Sequence, residues 1–337
     1  MKDCGSLDLG SIPSGCTEFG LYQNFITMKR TLFALVTLFC FSLVGLLGEY
    51  WWVFDLAAHL RVFYILSGGI LLLLTVWYRR YALSIVVFFV MLIHAIPVIS
   101  YSSFFAEPQS PMNSSPAGYL KVAYINSYWM QENMDTLIPA VRKIDADIFF
   151  LEEMQPEQYA VVKEALSQRY PYSHHEAVPW AFDIAVFSKR NLESIRAQYF
   201  YTDVPTLHVE MIVNNKKVQI FGVHPYSPMS KFYENGRDQL LTNLFVYLRD
   251  VKGPVIVGGD FNLTQYSPMY KKVTKDSNLI DTATLLGTVN TWPTKLPEFL
   301  RIPIDQVFVS PDVRVFAKYT GPDTGSDHAP LIVELGV

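Results

Sequence analysis

A layered α/β domain carried behind a helical membrane segment is the architecture this sequence predicts, and three observations predict it. Short apolar runs of strand length, rich in β-branched and aromatic residues, alternate with helical patterns over about 220 residues. Charged residues recur every few positions from Leu120 onward, whereas between Thr31 and Tyr101 apolar residues dominate and charges nearly vanish. A stretch with several Pro, Gly and Ser residues, Ser102 to Gly118, separates the two regimes and has the composition of a tether. The 337 residues therefore divide into a tail (1–28), a membrane segment (29–101), a linker (102–118) and a soluble domain (119–337).

Three apolar stretches make up the membrane segment: Thr31 to Leu47, Val62 to Trp77 and Tyr81 to Tyr101. Each is near the roughly 17 to 25 residues a helix needs to cross a bilayer, and the second spans only if Arg61 and Tyr78 snorkel or sit at the interface. A buried soluble hairpin would show a charged face, and Leu35 to Leu47 and Leu83 to Leu92 offer none. Lys29-Arg30 and Arg79-Arg80 flank the spans, so the positive-inside rule puts both pairs in the cytoplasm and sends the third span outward. The expected location is the inner membrane, multi-pass, with the soluble domain facing the periplasm or exterior. Tyr50, Trp51 and Trp52 suit a headgroup belt. The first 27 residues carry no periodic pattern, and two further spans argue against a cleaved signal peptide.

The formal net charge is −4, and from Leu120 onward 21 Lys+Arg stand against 25 Asp+Glu. That balance argues against a dedicated nucleic-acid binder, which presents a basic surface, but leaves a nuclease open, because acidic metal ligands lower the count. The cysteines are Cys4, Cys16 and Cys40, so the soluble domain can build neither a disulfide framework nor a zinc-thiolate site.

Strands are expected at Leu120 to Ile125, Ile148 to Leu151, Ile184 to Phe187, Val218 to Val223, Val255 to Val257, Gln306 to Val309 and Leu331 to Val333. His208 to Val213 pairs with Val218 to Val223 as a hairpin turning at Asn214-Asn215. Helices are expected at Gln158 to Gln168, after Pro156, and at Arg237 to Leu248, where Leu240, Leu241, Leu244, Phe245 and Leu248 share a face.

Acidic and amide residues cluster at the ends of these strands. Asn126 closes the first and Glu152-Glu153 the second; Asp260 and Asn262 follow Pro254-Val255-Ile256-Val257, Asp305 opens a later strand, and Asp327-His328 precedes the last. An all-oxygen set of this kind suits a hard cation such as Mg²⁺ or Mn²⁺. Taken singly, each has a plain structural reading: a turn, a helix cap, a satisfied histidine. Their order and spacing carry the argument.

That order resembles the endonuclease/exonuclease/phosphatase superfamily, which includes deoxyribonuclease I, exonuclease III, neutral sphingomyelinases and inositol polyphosphate 5-phosphatases. The matching elements are Tyr124-Ile125-Asn126, Phe149-Phe150-Leu151-Glu152-Glu153, Gly222-Val223-His224-Pro225, Gly259-Asp260-Phe261-Asn262, Ile304-Asp305-Gln306-Val307-Phe308 and Ser326-Asp327-His328-Ala329-Pro330. The resemblance implies a four-layer α-β-β-α sandwich of the deoxyribonuclease I type. It also implies a Mg²⁺- or Mn²⁺-dependent phosphoric ester hydrolase, acting on a phospholipid, nucleic acid or small phosphoester.

By the same resemblance Glu153 is the principal metal ligand, with Asn126 beside it and Asp327 completing the acidic cluster. Glu152 is the competing ligand, and the strand before it is too short for alternation to decide. Asp260 orients or deprotonates the attacking water and Asn262 holds it or a phosphate oxygen. His328 contacts the scissile phosphate with Asp305 fixing its tautomer, and His224 is a second donor to phosphate. Arg237 matches a position often basic in the family and is expected to touch substrate or order the loop after His224, with helix capping as the plain alternative. His174 and His175 fall in a Pro-Tyr-Ser-His-His-Glu segment that reads as a surface loop. His224-Pro225-Tyr226-Ser227-Pro228 departs from the Tyr-x-Pro-Asn pattern of AP endonucleases and exonuclease III, which puts DNA repair in doubt. The rival from another class, an inactive membrane-anchored relative that binds a phosphorylated ligand or partner, predicts loss of a catalytic residue, and none is missing among the matched positions.

Overall fold

The computed structural model describes residues 29–30, 32–33, 35–37, 39–103, 118–201, 203–275 and 277–337. The expected tail (1–28) and residues 104–117 of the expected linker lie outside the described residues. The chain divides into two compact units, Met1–Val44 with Arg61–Ala95, and Gly45–Leu60 with Ile96–Val337. The second unit therefore begins earlier than the expected boundary at residue 119. Among the helices that precede the sheets are α1 (Trp52–Ala58), α2 (Arg61–Trp77) and α3 (Tyr81–Ser100).

The first unit has a small core around Phe39, Leu71 and Val87. Several of its buried polar groups find partners within it, as an apolar setting favours: His94 Nε2 lies 3.0 Å from Ser42 Oγ, and Ser84 donates to Thr75 Oγ1 at 2.9 Å. Of the three expected spans, only α3 is by itself long and apolar enough to cross a bilayer, among the described residues. The second is apolar but 17 residues long, and Arg61 does not snorkel from its end: the side chain is buried, with Nη1 donating to the Ile93 carbonyl at 3.2 Å.

The second unit is built on two six-stranded mixed sheets. The first has the order β11-β12-β1-β2-β4-β3 and the second β5-β6-β7-β8-β10-β9. The first comprises β1 (Tyr119–Asn126), β2 (Ile148–Glu152), β3 (Tyr172–Glu176), β4 (Ile184–Ser188), β11 (Arg314–Thr320) and β12 (Leu331–Gly336). The second comprises β5 (Ser194–Gln198), β6 (Thr206–Val213), β7 (Lys216–Val223), β8 (Val255–Asp260), β9 (Ile280–Asp281) and β10 (Asp305–Val309). β1 and β2 are parallel, as are β7 and β8; the other pairings are antiparallel. The β6–β7 hairpin turns at Asn214 and Asn215, both left-handed at φ 50° and 62°, the conformation that Asn tolerates best among residues with a Cβ.

Strand alternation sorts the side chains into layers. Val122, Tyr124, Ile148, Phe150 and Val186 of the first sheet meet Leu207, Val209, Ile220, Ile256 and Val307 of the second in a common core. On the outer face of the first sheet, Ala123, Ile125, Phe149 and Leu151 pack with Leu137 and Val141 of α4 (Leu137–Ile144) and Val162 and Leu166 of α5 (Pro156–Leu166). On the outer face of the second, Phe221, Val257 and Phe308 pack with Leu240, Leu241 and Leu244 of α6 (Lys231–Leu248). The central strands are thus buried on both faces, and this is why they read as unbroken apolar runs. The result is the expected four-layer α-β-β-α sandwich. Two short helices, α7 (Pro268–Lys275) and α8 (Thr282–Leu286), complete it.

Two glycines let the sheets approach. A Cβ on Gly222 of β7 would fall 2.3 Å from the Phe150 ring, and one on Gly258 of β8 would fall 2.4 Å from the Tyr124 ring. The Tyr124 and Phe150 rings stack on each other at 5.3 Å and fill the space the glycines leave.

The elements that sequence patterning misses are the helices α1, α4, α7 and α8 and the strands β3, β5, β9 and β11. All four strands lie at sheet edges. The His174-His175 segment is a strand, not a loop: His175 is largely buried, with Nε2 2.7 Å from the Met154 carbonyl and 3.3 Å from Asp183 Oδ2. The chain from the end of the expected third span into the expected linker is packed. The Thr288 N–H donates to the Tyr101 carbonyl at 2.7 Å, the Tyr101 ring meets Tyr270 edge-on at 6.5 Å, and a Cβ on Gly287 would fall 2.4 Å from the Ser103 nitrogen.

Gly258→Ala places a methyl where the Tyr124 ring sits, so it should destabilise the second unit by about 1–3 kcal/mol, the usual cost of overpacking. Thermal melting of the detergent-solubilised protein checks this, and an unchanged midpoint would mean that the sheet separation is not set here.

Candidate active site

The site forms where the two sheets end side by side. In the first sheet Asn126 at the end of β1 is in register with Glu152 at the end of β2. In the second, Asp260 at the end of β8 is in register with Asp305 at the start of β10. Strand ends suit this purpose because the chain leaves the ladder there and polar side chains can converge without breaking it.

The adjacent glutamates take different tasks. Glu152 is fully buried and its Oε2 accepts the Asp260 N–H at 3.0 Å, across the gap between sheets. Burial, and then the Asp260 and Asp305 carboxylates, push its carboxyl well above the ordinary range, which favours the neutral form. Glu153 is left-handed at φ 58°, which swings its side chain toward the open cluster. Its Oε1 accepts from Asn126 Nδ2 at 2.9 Å and lies 3.5 Å from His224 Nε2, while Oε2 accepts the Trp129 N–H at 3.0 Å.

Asp260 is the centre of the second half. Asn126 Nδ2 is 3.3 Å from its Oδ2, His328 Nε2 3.7 Å and His224 Nε2 3.8 Å. Burial raises its pKa most, against the pull of His328, and it reaches about 7. Gly259 before it has φ 140°, and a Cβ there would overlap the Val223 carbonyl oxygen at 2.0 Å; only glycine can make this approach.

His328 Nδ1 lies 3.1 Å from Asp305 Oδ2, the pairing expected to fix the ring. Thr291 donates its hydroxyl to the same oxygen. Burial opposes charge on this imidazole, but Asp305 and Asp260 outweigh it and raise its pKa to about 10, so the ring is protonated at neutral pH. His224 goes the other way: burial lowers its pKa despite Glu153, and its buried Nδ1 has no partner among the described residues. One histidine is thus a cation and the other a neutral donor, separated by their surroundings.

Asn262, left-handed at φ 49°, uses its side-chain amide to hold the Pro225 carbonyl at 3.1 Å, next to His224, and its N–H donates to Asp260 Oδ1 at 2.8 Å. Asp327 is held by the indole Nε1–H of Trp292 at 3.0 Å. Asn126, Glu153, His224, Asp260, Asp305 and His328 are therefore linked contact to contact, with Asp327 beside His328. Arg237, expected at the substrate, is instead wholly buried. Its guanidinium donates to Asp238, to the Asn262 carbonyl and to Asp55, so it acts from behind the site.

Two sets of residues could hold a cation. Asn126 and Glu153 offer oxygen donors, the expected set with Asp327. Asp260, Asp305 and His328 have ligand atoms all within 4.8 Å of one another, but there the protonated His328 already serves as the cation between the two carboxylates. The sequence misses the residues that support the site: Glu152 behind Asp260, Thr291 behind Asp305 and Trp292 behind Asp327. For Thr291 and Trp292 the run Thr291-Trp292-Pro293-Thr294 is the one local feature in the sequence, and it carries no motif that would single them out.

Comparison with known proteins bears on this geometry. The family model described as Endonuclease/Exonuclease/phosphatase family matches residues 124–328. Solved structures share the fold at low identity. A D. rerio TDP2 complexed with single strand DNA product superposes with a TM-score of 0.56 at 18% identity, covering 65% of this chain and 99% of that one. An endonuclease/exonuclease/phosphatase from Bacteroides vulgatus gives 0.56 at 15%, covering 65% and 99%. A family protein from Bacteroides thetaiotaomicron gives 0.52 at 22%, covering 66% and 96%. No curated protein matches the sequence.

Asp305→Asn removes the largest of the charges that keep the proton on His328, so its pKa should fall from about 10 toward the ordinary 6.5. Histidine-selective NMR titration reads this directly, and a ring that still titrates near 10 would locate the stabilising charge elsewhere.

Proposed function

We propose that this chain, which belongs to the endonuclease/exonuclease/phosphatase family by the match over residues 124–328, is a divalent-metal-dependent hydrolase of phosphoric esters anchored to a membrane. The observation that carries this reading is the junction of Asn126 and Glu153 with His224, Asp260 and the Asp305–His328 pair. Glu153, Asp260, Asp305 and Asp327 surround one protonated imidazole. That excess of negative charge, with oxygen donors from Glu153 and Asn126, fits a hard cation such as Mg²⁺ or Mn²⁺. Bound there, the ion would offset charge developing on the phosphate oxygens.

The protein's own groups account for the remaining steps. Asp260, ionised above its raised pKa, accepts a proton from the attacking water. His328, kept protonated by Asp305, donates from Nε2 to a phosphate oxygen, and neutral His224 supplies a second donor that adds no charge. Asn262 keeps His224 in place through the Pro225 carbonyl. Activity should therefore rise as Asp260 loses its proton and fall at alkaline pH as His328 loses its own.

Exposed apolar side chains occur in segments that neighbour the site residues in the chain. Trp129 and Met130 follow β1, Trp180 precedes Phe182, Met229 and Phe232 follow His224, and Phe299 lies in the segment after Trp292. Phe182 is 6.1 Å from the His224 ring and Trp292 is 6.3 Å from the His328 ring. Aromatic rings beside both histidines, with exposed apolar side chains in the neighbouring segments, favour a phosphoester that carries acyl chains or unpaired bases, a phospholipid or a single nucleic-acid strand, over duplex DNA. The acidic balance of the domain points the same way, and the single-strand DNA product in the D. rerio TDP2 structure keeps the second substrate class open. Residues 29–101 are the proposed anchor, and the basic pairs Lys29-Arg30 and Arg79-Arg80 favour a catalytic unit on the periplasmic or exterior face of the inner membrane.

The detergent-solubilised full chain should hydrolyse bis-p-nitrophenyl phosphate, phospholipid vesicles or single-stranded oligonucleotides with Mg²⁺ or Mn²⁺ and stop with chelator. Asp260→Asn and His328→Ala should each lower kcat by roughly 100- to 10,000-fold. Metal-dependent turnover that survived both changes would sink the mechanism. For the orientation, protease added outside intact spheroplasts should degrade the catalytic unit, and full protection would reverse the assignment.

A further inference from the structure

Arg237 sits on α6 with none of its side chain exposed, a costly place for a guanidinium unless its N–H groups meet acceptors of opposite charge. Nε donates to Asp238 Oδ1 at 2.9 Å, Nη1 to the Asn262 carbonyl at 3.1 Å and Nη2 to Asp55 Oδ2 at 3.1 Å. Asp55 is itself buried and comes from α1, 182 residues earlier in the chain, between the first two apolar stretches. A second contact repeats the arrangement: His59 Nδ1 lies 2.7 Å from Thr264 Oγ1, two residues beyond Asn262. A third sets Gly48 against Pro268, whose ring would lie 3.2 Å from an added Cβ. The Gly45–Leu60 segment thus braces the chain from Asn262 to Pro268 at three points.

Asn262 passes this bracing to the catalytic groups. Its N–H donates to Asp260 Oδ1 and its side-chain amide holds the Pro225 carbonyl beside His224, while Arg237 grips its own carbonyl. We infer that Asp55 is a positioning residue of the active site: it orients Arg237, which fixes Asn262 and through it the Asp260 carboxylate and the His224 loop. The inference rests on the catalytic reading above. Its consequence is that a catalytic unit cut free at residue 118 lacks a carboxylate its buried arginine requires, so activity is tied to the presence of the membrane hairpin.

The test uses the full chain in detergent, with bis-p-nitrophenyl phosphate and Mg²⁺ or Mn²⁺. Asp55→Asn should lower kcat by roughly 100-fold, the size expected for a small misplacement of catalytic groups, and leave KM nearly unchanged. In an Asn262→Ala background, which removes the hold on the Pro225 carbonyl but keeps the backbone bonds to Arg237 and Asp260, the same change should cost less than it does in the wild type, because residues acting through one another are not additive. A variant that melts lower yet keeps the wild-type kcat while folded, or whose effect adds fully to that of Asn262→Ala, would reduce Asp55 to a structural role and overturn the inference. Should Asp55→Asn not fold, Arg237→Lys keeps the cation but loses the fork that joins Asp55 to Asn262; it should show the same kcat loss, and wild-type kcat there overturns the inference too. Hydrogen exchange separates this from the function itself. In Asp55→Asn or Arg237→Lys, amides from Asp260 to Thr264 should exchange faster while β1 and β2 do not change, whether or not the chosen substrate is turned over; unchanged exchange there counts against the bracing.

Discussion

The buried carboxyl of Glu152 reaches from one sheet to the backbone N–H of Asp260 on the other, and the rest of the site depends on that crossing. A sandwich of two sheets normally keeps its strand ends apart by the thickness of the core, about 10 Å. Here Gly222 and Gly258 give up their side chains so that Phe150 and Tyr124 can fill the gap, and the sheets come close enough for a side chain from one to reach the main chain of the other. Held this way, Asn126 and Glu153 of the first sheet touch His224 and Asp260 of the second. A charged Glu152 would be expensive in that position; burial and its acidic neighbours favour the protonated form, whose carbonyl oxygen still accepts the N–H.

Around that crossing the same amino-acid types behave differently because their surroundings differ. Two histidines lie within reach of Asp260. The one backed by Asp305 and Thr291 is a cation, and the one whose Nδ1 has no partner among the described residues is neutral. Asp260 is raised chiefly by burial, so it is weakly basic in the range where a general base works best. These opposed shifts are what acid–base chemistry requires of a site assembled from so few residue types.

The supports extend to a part of the chain that sequence patterning gives to the membrane. Asp55 neutralises an arginine with no exposure, and that arginine holds the carbonyl of Asn262. Trp292 and Thr291 carry out the corresponding task for Asp327 and Asp305 from another loop. Rigid backing of this kind lets charged groups stay at distances that mutual repulsion would otherwise widen. The segments that follow the site residues in the chain, by contrast, expose large apolar side chains, which stable packing alone does not explain.

Sequence alone determined the central strands, because β1, β2, β4, β7, β8, β10 and β12 are covered on both faces and must be apolar throughout. It also determined the site residues at their ends, since those residues break an apolar run with a carboxylate, amide or imidazole. The edge strands β3, β5, β9 and β11 were not legible: half-exposed strands tolerate polar side chains, so Tyr-Ser-His-His-Glu looks like a loop until β4 pairs with it. Only the tertiary structure decided that Glu153 faces the cluster and Glu152 the core, because the choice depends on one left-handed residue. It also decided that Arg237 serves Asn262 and not substrate. A buried arginine and a surface arginine are identical as letters, and what separates them is an aspartate 182 residues away that folding alone brings into reach.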